Sequence, residues 1–242
     1  YVKERGVTIA WITQALFSQI IDNKIEVFET LHTVFSGGDV MSLKHVNKLR
    51  ERYNNLRIIN CYGPTECTTF TNTFDVKNVR DKRVPLGKAI SNTYGYVIDS
   101  RFRLLPLYTE GEYIIGGDSV AAGYINNEAL TKEKFVKDEI TNLGIMYKTG
   151  DIVRMIADGV IDFVGRRDNQ VKIRGYRIEL DEIKNAILMV PNVLDAIVIV
   201  RENNGNKRIY AYYVASKKIT EEEMIKYIKT KLAKHLIPYG AM

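Results

Sequence analysis

The sequence predicts an α/β region, then a β-rich, barrel-like region, then a small α+β domain. Three changes of texture point to this. Up to about residue 60, short apolar runs alternate with helical periodicity. From Val84 to Val164, β-type runs are punctuated by glycines, including Gly111, Gly116, Gly117, Gly123 and Gly150. After Asp168, alternating strands mix with amphipathic helices.

In order, Val7–Trp11 reads as a strand, Ser42 as the cap of a helix carrying Leu43, Val46 and Leu49, and Leu56–Asn60 as the next strand. This is a β-α-β fragment. In the second region, Ile152–Ile156 and Val160–Val164 read as a hairpin, because Asp158-Gly159 accepts the positive φ angles of a tight turn. In the third, Val171 and Ile173 alternate with Lys172 and Arg174, and a helix follows from Leu180 to Met189. A second hairpin is expected between Val193–Arg201 and Arg208–Ala215, turned by Asn203-Asn204-Gly205-Asn206. A last helix starts at Thr220, with Glu223 completing a capping box and Ile225, Ile228, Leu232 and Leu236 forming one apolar face. The expected domains are 1–168, divided into an α/β portion 1–83 and a barrel-like portion 84–168, and 169–242. No polar linker marks the boundary, so it rests on texture.

Composition excludes several classes of function. The 242 residues carry 35 Lys plus Arg against 29 Asp plus Glu, a net charge of +6, with 45% apolar residues. That is the profile of a folded chain rather than a disordered one. Cys61 and Cys67 are too few for a disulfide scaffold or a zinc site, so a reducing cytoplasm is the expected location. His32, His45 and His235 are scattered without metal or triad spacing. No apolar run approaches the roughly 18 residues of a spanning helix, and no membrane association is expected. The small basic surplus, offset by Glu221, Glu222 and Glu223, is no nucleic-acid footprint. A chain beginning at Tyr1 is expected of a piece of a longer polypeptide.

Three clusters could carry chemistry. Asn60-Cys61-Tyr62-Gly63-Pro64-Thr65-Glu66 places a strand end at a Gly-Pro turn, where α/β sheets commonly bind ligands. A threonine hydroxyl can donate to phosphate, a carboxylate can hold a hard cation, and a tyrosine ring can stack on a base. Tyr147-Lys148-Thr149-Gly150-Asp151 ends in a carboxylate able to accept from two vicinal hydroxyls. Gly165-Arg166-Arg167-Asp168-Asn169-Gln170-Val171-Lys172-Ile173-Arg174-Gly175 is a charged stretch between two textures, suited to a hinge that delivers cations. Each alone is equally an ordinary turn or a charge-protected edge strand.

Their order is more specific than any one of them. Together with Gly111-Glu112, Gly117 and Gly123-Tyr124 between them, and Arg177-Ile178-Glu179-Leu180 after them, they resemble the amino-acid adenylation domains of nonribosomal peptide synthetases, a branch of the adenylate-forming superfamily. The resemblance covers nearly the whole chain and implies the C-terminal half of an adenylate-forming fold. It implies activation of an amino acid with ATP and Mg2+, then transfer of the acyl group to the phosphopantetheine thiol of a peptidyl carrier protein. Aryl, fatty acyl or D-alanyl ligases, and a non-catalytic nucleotide-binding module of the same fold, are the alternatives.

Matched residue by residue, the resemblance implies that Tyr62 stacks on adenine, with Gly38, Asp39 and Val40 as the opposite wall and Asn60 at the amino edge of the base. Thr65 would touch the α-phosphate and Glu66 the magnesium. Asp151 would bind the ribose hydroxyls with Arg166 assisting, Asp168 would be the hinge, and Lys172 would begin a loop that faces the active site during thiolation. Trp11, Phe35, Gly37, Cys61, Thr69 and Phe70 would line the side-chain pocket. These are bulky apolar or small residues without charge, so a medium aliphatic amino acid is expected. The family's phosphate loop, its α-amino-binding aspartate and its C-terminal lysine match nothing between Tyr1 and Met242, where the chain ends Ile237-Pro238-Tyr239-Gly240-Ala241-Met242. This stretch alone is therefore expected to be inactive.

Overall fold

The structure, a computed structural model, describes residues 1–77, 83–173, 175–203 and 206–242. It divides into two compact units, Tyr1–Arg167 and Asp168–Met242.

The apolar runs of the first unit pair as a five-stranded sheet in the order β1-β2-β3-β4-β5. Strands β1 (Ile9–Thr13), β2 (Thr33–Gly37) and β3 (Arg57–Tyr62) run parallel, connected by helices α1 (Gln14–Asn23) and α2 (Leu43–Arg52). Strands β4 (Asn72–Asp75) and β5 (Lys88–Ala89) add antiparallel. The two-residue period of a strand sends Val34 and Ile58 to one face, where they pack with Phe17 and Ile21 of α1 and Val46 and Leu49 of α2. It sends Trp11, Phe35 and Ile59, which are register partners, to the other. The expected strand at Val7–Trp11 is displaced to Ile9–Thr13, because Val7 closes a turn by donating its amide to the Val2 carbonyl at 3.0 Å. Ser42 does precede α2, but its hydroxyl lies 2.7 Å from His45 Nδ1 and makes no cap bond to a backbone amide.

The rest of the first unit is antiparallel. Strands β6 (Thr93–Ile98), β7 (Glu110–Gly117), β9 (Ile145–Met155) and β10 (Ile161–Arg166) lie in the order β10-β9-β7-β6, and the short β8 (Phe135–Lys137) pairs with β9. Helix α3 (Glu128–Lys134), capped by the Asn127 side chain, leads into β8. The β9–β10 hairpin turns at Asp158 (φ 60°) and Gly159 (φ 73°), as their sequence predicts, and sets Met155 opposite Ile161. Tyr113, Ile115, Tyr147, Val153 and Ile161 form the core beneath.

In the second unit β11 (Gln170–Ile173) and β12 (Tyr176–Glu179) make a small hairpin that feeds α4 (Leu180–Leu188). A long hairpin of β13 (Val193–Asn203) and β14 (Asn206–Ala215) follows. Of its expected turn, Asn204 and Gly205 lie outside the described residues, as does Arg174 of the charged stretch. Helix α5 (Glu221–Ile228) opens with the expected capping box, and β15 (Gly240–Ala241) pairs parallel with β14. The apolar face expected to run through Leu236 is helical only as far as Ile228. Leu232 and Leu236 still pack into the core, the latter from a 3-10 turn at Lys234–Leu236, with Pro238, which cannot extend a helix, close behind. Among the described residues no helix is long and apolar enough to cross a membrane.

Candidate nucleotide site

The site lies at the carboxyl ends of β2 and β3 and on the facing side of β9. Strand β3 ends at Tyr62, and Gly63-Pro64 turns the chain into a single 3-10 turn, Thr65–Cys67, closed by the Cys67 amide on the Pro64 carbonyl at 3.0 Å. A Cβ on Gly63 would come within 2.5 Å of the Thr69 carbonyl, so the turn requires glycine there. Thr68 leaves the turn at φ 69°, unusual for a β-branched residue, and its hydroxyl donates to the Ser119 carbonyl at 2.9 Å.

Three of the sequence-predicted residues are brought into direct contact. The Tyr62 hydroxyl donates to Asp151 Oδ2, and Arg166 Nη1 donates to Asp151 Oδ1 at 2.5 Å from the register position opposite on β10. Asp151 and the Arg166 side chain are largely buried, so the ion pair stands in a weakly screened environment. Thr149 orders the same carboxylate: its hydroxyl accepts from the Asp151 amide at 3.0 Å and donates to the Tyr113 carbonyl at 2.7 Å, while its own carbonyl accepts from Arg166 Nη2 at 3.1 Å. Burial, reinforced by the Asp151 carboxylate, pushes the Tyr62 hydroxyl well above the usual phenol range and keeps it a donor.

Glu66 is only 8% exposed. Its Oε1 accepts from the Tyr124 hydroxyl at 2.6 Å, and its backbone carbonyl accepts from the Ala121 amide at 2.8 Å. Thr65 beside it is exposed. Among the described residues no cluster of three or more His, Cys, Asp or Glu is arranged to hold a metal ion. A single buried carboxylate on this turn fits the expected Mg2+, which typically binds through one or two carboxylates plus substrate phosphates.

Asn60, expected at the edge of the base, is buried in β3 and donates its amide to the Pro85 carbonyl at 2.8 Å, which fixes the side chain. Gly38 has φ +87° and open space around it, Asp39 accepts from the Val40 amide at 2.8 Å, and Val40 is 56% exposed. Of the residues expected to line the side-chain pocket, Trp11 and Phe35 are register neighbours, the rings of Trp11 and Phe70 are 6.0 Å apart, and Gly37 pairs with Cys61. A Cβ on Gly37 would meet the Cys61 carbonyl oxygen at 2.2 Å, so nothing larger than glycine fits against β3. Burial pushes the Cys61 thiol up to about 12, leaving that wall neutral. Thr69 is exposed at the turn beyond Glu66. Lys172, on β11, and Asp168, whose carboxylate accepts from the Gln170 amide at 3.2 Å, belong to the second unit.

Sequence reasoning missed Thr149 as an orienting group, Tyr124 as the partner of Glu66, and the pair of buried Glu112 with Arg167 at 2.8 Å, which pins the last residue of the first unit. No spacing pattern announces a pair 55 or 58 positions apart.

A family model described as AMP-binding enzyme matches residues 1–125. Gramicidin S synthase 2 of Brevibacillus brevis is 41% identical over 239 residues, which are 98% of this chain and 5% of that protein. Tyrocidine synthase 3 of Brevibacillus parabrevis is 36% identical over 239 residues, again 98% of this chain but 4% of the relative. Among solved structures, PA1221, an NRPS protein containing adenylation and PCP domains, superposes with a TM-score of 0.87 at 31% identity, over 99% of this chain and 48% of that one. The o-succinylbenzoate CoA synthetase of Bacillus subtilis shares the fold, with a TM-score of 0.88 at 22% identity over 99% of this chain and 48% of that one. The chain thus spans a few per cent of the curated relatives and about half of the solved structures it matches.

Proposed function

The chain belongs to the AMP-binding enzyme family, and from that membership we propose that it is the C-terminal half of an amino-acid adenylation domain in a nonribosomal peptide synthetase. In this reading, residues 1–168 complete the large subdomain and 169–242 are most of the small mobile one, with Asp168 as the hinge. The parent enzyme forms an aminoacyl adenylate from ATP and an amino acid, then passes the acyl group to a carrier-protein phosphopantetheine. The observation that carries the proposal is the Tyr62–Asp151–Arg166 network, in which a buried carboxylate on β9 meets, across 89 residues of sequence, the tyrosine that ends the strand β3.

The residues have distinct tasks. Tyr62 and the Gly38–Val40 turn hold the base between them, with Asn60 at its edge. Asp151 accepts from the ribose hydroxyls, and Arg166 holds that carboxylate in place. Thr65 donates to the α-phosphate. Glu66 would hold Mg2+, which when bound neutralises phosphate charge as pyrophosphate departs. Lys172, carried by the small subdomain, serves the second half-reaction.

Trp11, Phe35, Gly37, Cys61, Thr69 and Phe70 form an uncharged pocket that selects a medium aliphatic side chain, such as valine or isoleucine, because a charged one would lose its hydration without a partner. A cytoplasmic location belongs to the same proposal and is supported by two free, buried cysteines. The test is amino-acid-dependent exchange of pyrophosphate into ATP by the full-length parent protein across a panel of amino acids. Exchange with valine or isoleucine is expected. No exchange with any amino acid would overturn the adenylation reading, and preference for an acidic or basic one would overturn the pocket reading.

A further inference from the structure

Glu66 is a carboxylate buried in the middle of a one-turn segment, and partners outside that turn help to fix its direction. The segment 119–124 does this at three points. The Ser119 carbonyl accepts from the Thr68 hydroxyl at 2.9 Å, the Ala121 amide donates to the Glu66 carbonyl at 2.8 Å, and the Tyr124 hydroxyl donates to Glu66 Oε1 at 2.6 Å. The first two fix the backbone around the turn. Of these three, the third reaches the carboxylate itself and so bears directly on its direction.

Tyr124 is itself held. Its amide donates to Thr131 Oγ1 at 2.9 Å, its ring packs edge-on to Phe135 at 5.3 Å, and its hydroxyl lies 3.5 Å from that of Tyr147 on β9. Just before it, Gly123 has φ +146° and no room for a Cβ, which would meet Thr131 Cγ2 at 2.4 Å. We infer that Tyr124 is a positioning residue for the metal-facing carboxylate: its hydroxyl aims Glu66 at the phosphate-bound divalent cation, and without it the cation binds more weakly.

This rests on the nucleotide-site reading above, and the experiment separates the two. In the full-length parent protein, Mn2+ binding in the presence of α,β-methylene-ATP is followed by electron paramagnetic resonance for wild type, Tyr124→Phe and Tyr94→Phe. The last removes a matched hydroxyl-to-carboxylate bond, Tyr94 to Asp138 at 2.9 Å, in which Glu66 takes no part. Loss of an outer partner commonly weakens metal affinity about tenfold or more, so Tyr124→Phe is expected to raise the Mn2+ half-saturation by about that factor, while Tyr94→Phe leaves it unchanged. The Mg2+ half-saturation of pyrophosphate exchange should rise in parallel, with most of kcat recovered at saturating Mg2+. Wild-type affinity in Tyr124→Phe, or an equal loss in Tyr94→Phe, overturns the inference while leaving the nucleotide site standing. Absence of nucleotide-dependent Mn2+ binding in wild type sinks both. Should Tyr124→Phe fail to fold, 3-fluorotyrosine at position 124 replaces it: broadening of its 19F signal by Mn2+ with the ATP analogue supports the assignment, and an unbroadened signal rejects it.

Discussion

Ser36, Asn60, Glu66, Asn72, Glu112, Thr149 and Asp151 are buried inside the first unit, whereas among the described residues of the second Gln170 alone interrupts a core of Ile178, Ile183, Ile187, Val198, Ala211 and Met224. Both are mixed α/β structures, yet only the first carries the desolvation cost of so many polar groups. A buried carboxylate costs stability unless partners offset it. The contrast therefore separates a unit that offsets many buried polar groups with internal partners from one built on an almost purely apolar core.

The largest expected effect that bears on this contrast concerns Cys61 and Cys67, both in the first unit. Burial pushes each thiol from 9.0 up to about 12, Cys67 with a further contribution from Glu66. The folded chain should then be alkylated by iodoacetamide at pH 8 roughly a thousandfold more slowly than a free cysteine, and rapidly in urea. Because the folded values lie above the unfolded 9.0, this contribution to stability is complete below about pH 9 and is lost as the pH rises towards 12. Fast labelling at pH 8 in the folded chain would mean that the first unit opens readily.

Next in size is Asp151→Ala, which removes the carboxylate shared by Tyr62 and Arg166. Breaking a buried pair from one side costs about 3–5 kcal/mol, so the urea midpoint of the first unit should fall steeply. An unchanged midpoint would show that the network is not needed for folding. A comparable or smaller loss, about 2–5 kcal/mol, is expected of Ile187→Ala in the fully buried core of the second unit. Hydrogen exchange should locate that loss in residues 168–242 and leave thiol protection in the first unit intact. Spread of the effect to Cys61 and Cys67 would break the comparison by making the two units one cooperative block.

Where a feature is set by neighbours in the chain, the sequence shows it. Asp158-Gly159 supplies the positive φ angles of its turn, and Thr220 with Glu223 forms a reciprocal cap within one helical turn. Where the competing interaction is also short-range but unrecognised, the boundary slips, as when the Val7 amide returns to Val2 and moves β1 along by two residues. The meeting of Tyr62 with Asp151 was legible only through the order of three motifs, since neither residue type nor spacing implies the contact. Tyr124 on Glu66 and Arg167 on Glu112 were not legible at all, because each joins elements whose approach is decided by packing of the whole unit.

The absence of a side chain at Gly37 also reaches into how such an enzyme could be retailored. A methyl group there would run into the main chain of β3, so no library of substitutions at this position can deepen or narrow the pocket without displacing the sheet. Trp11, at 49% exposure, and Phe70 beside it carry no such penalty. Under the proposed reading, altered amino-acid preference is to be sought in that aromatic pair, where exchange leaves the scaffold in place.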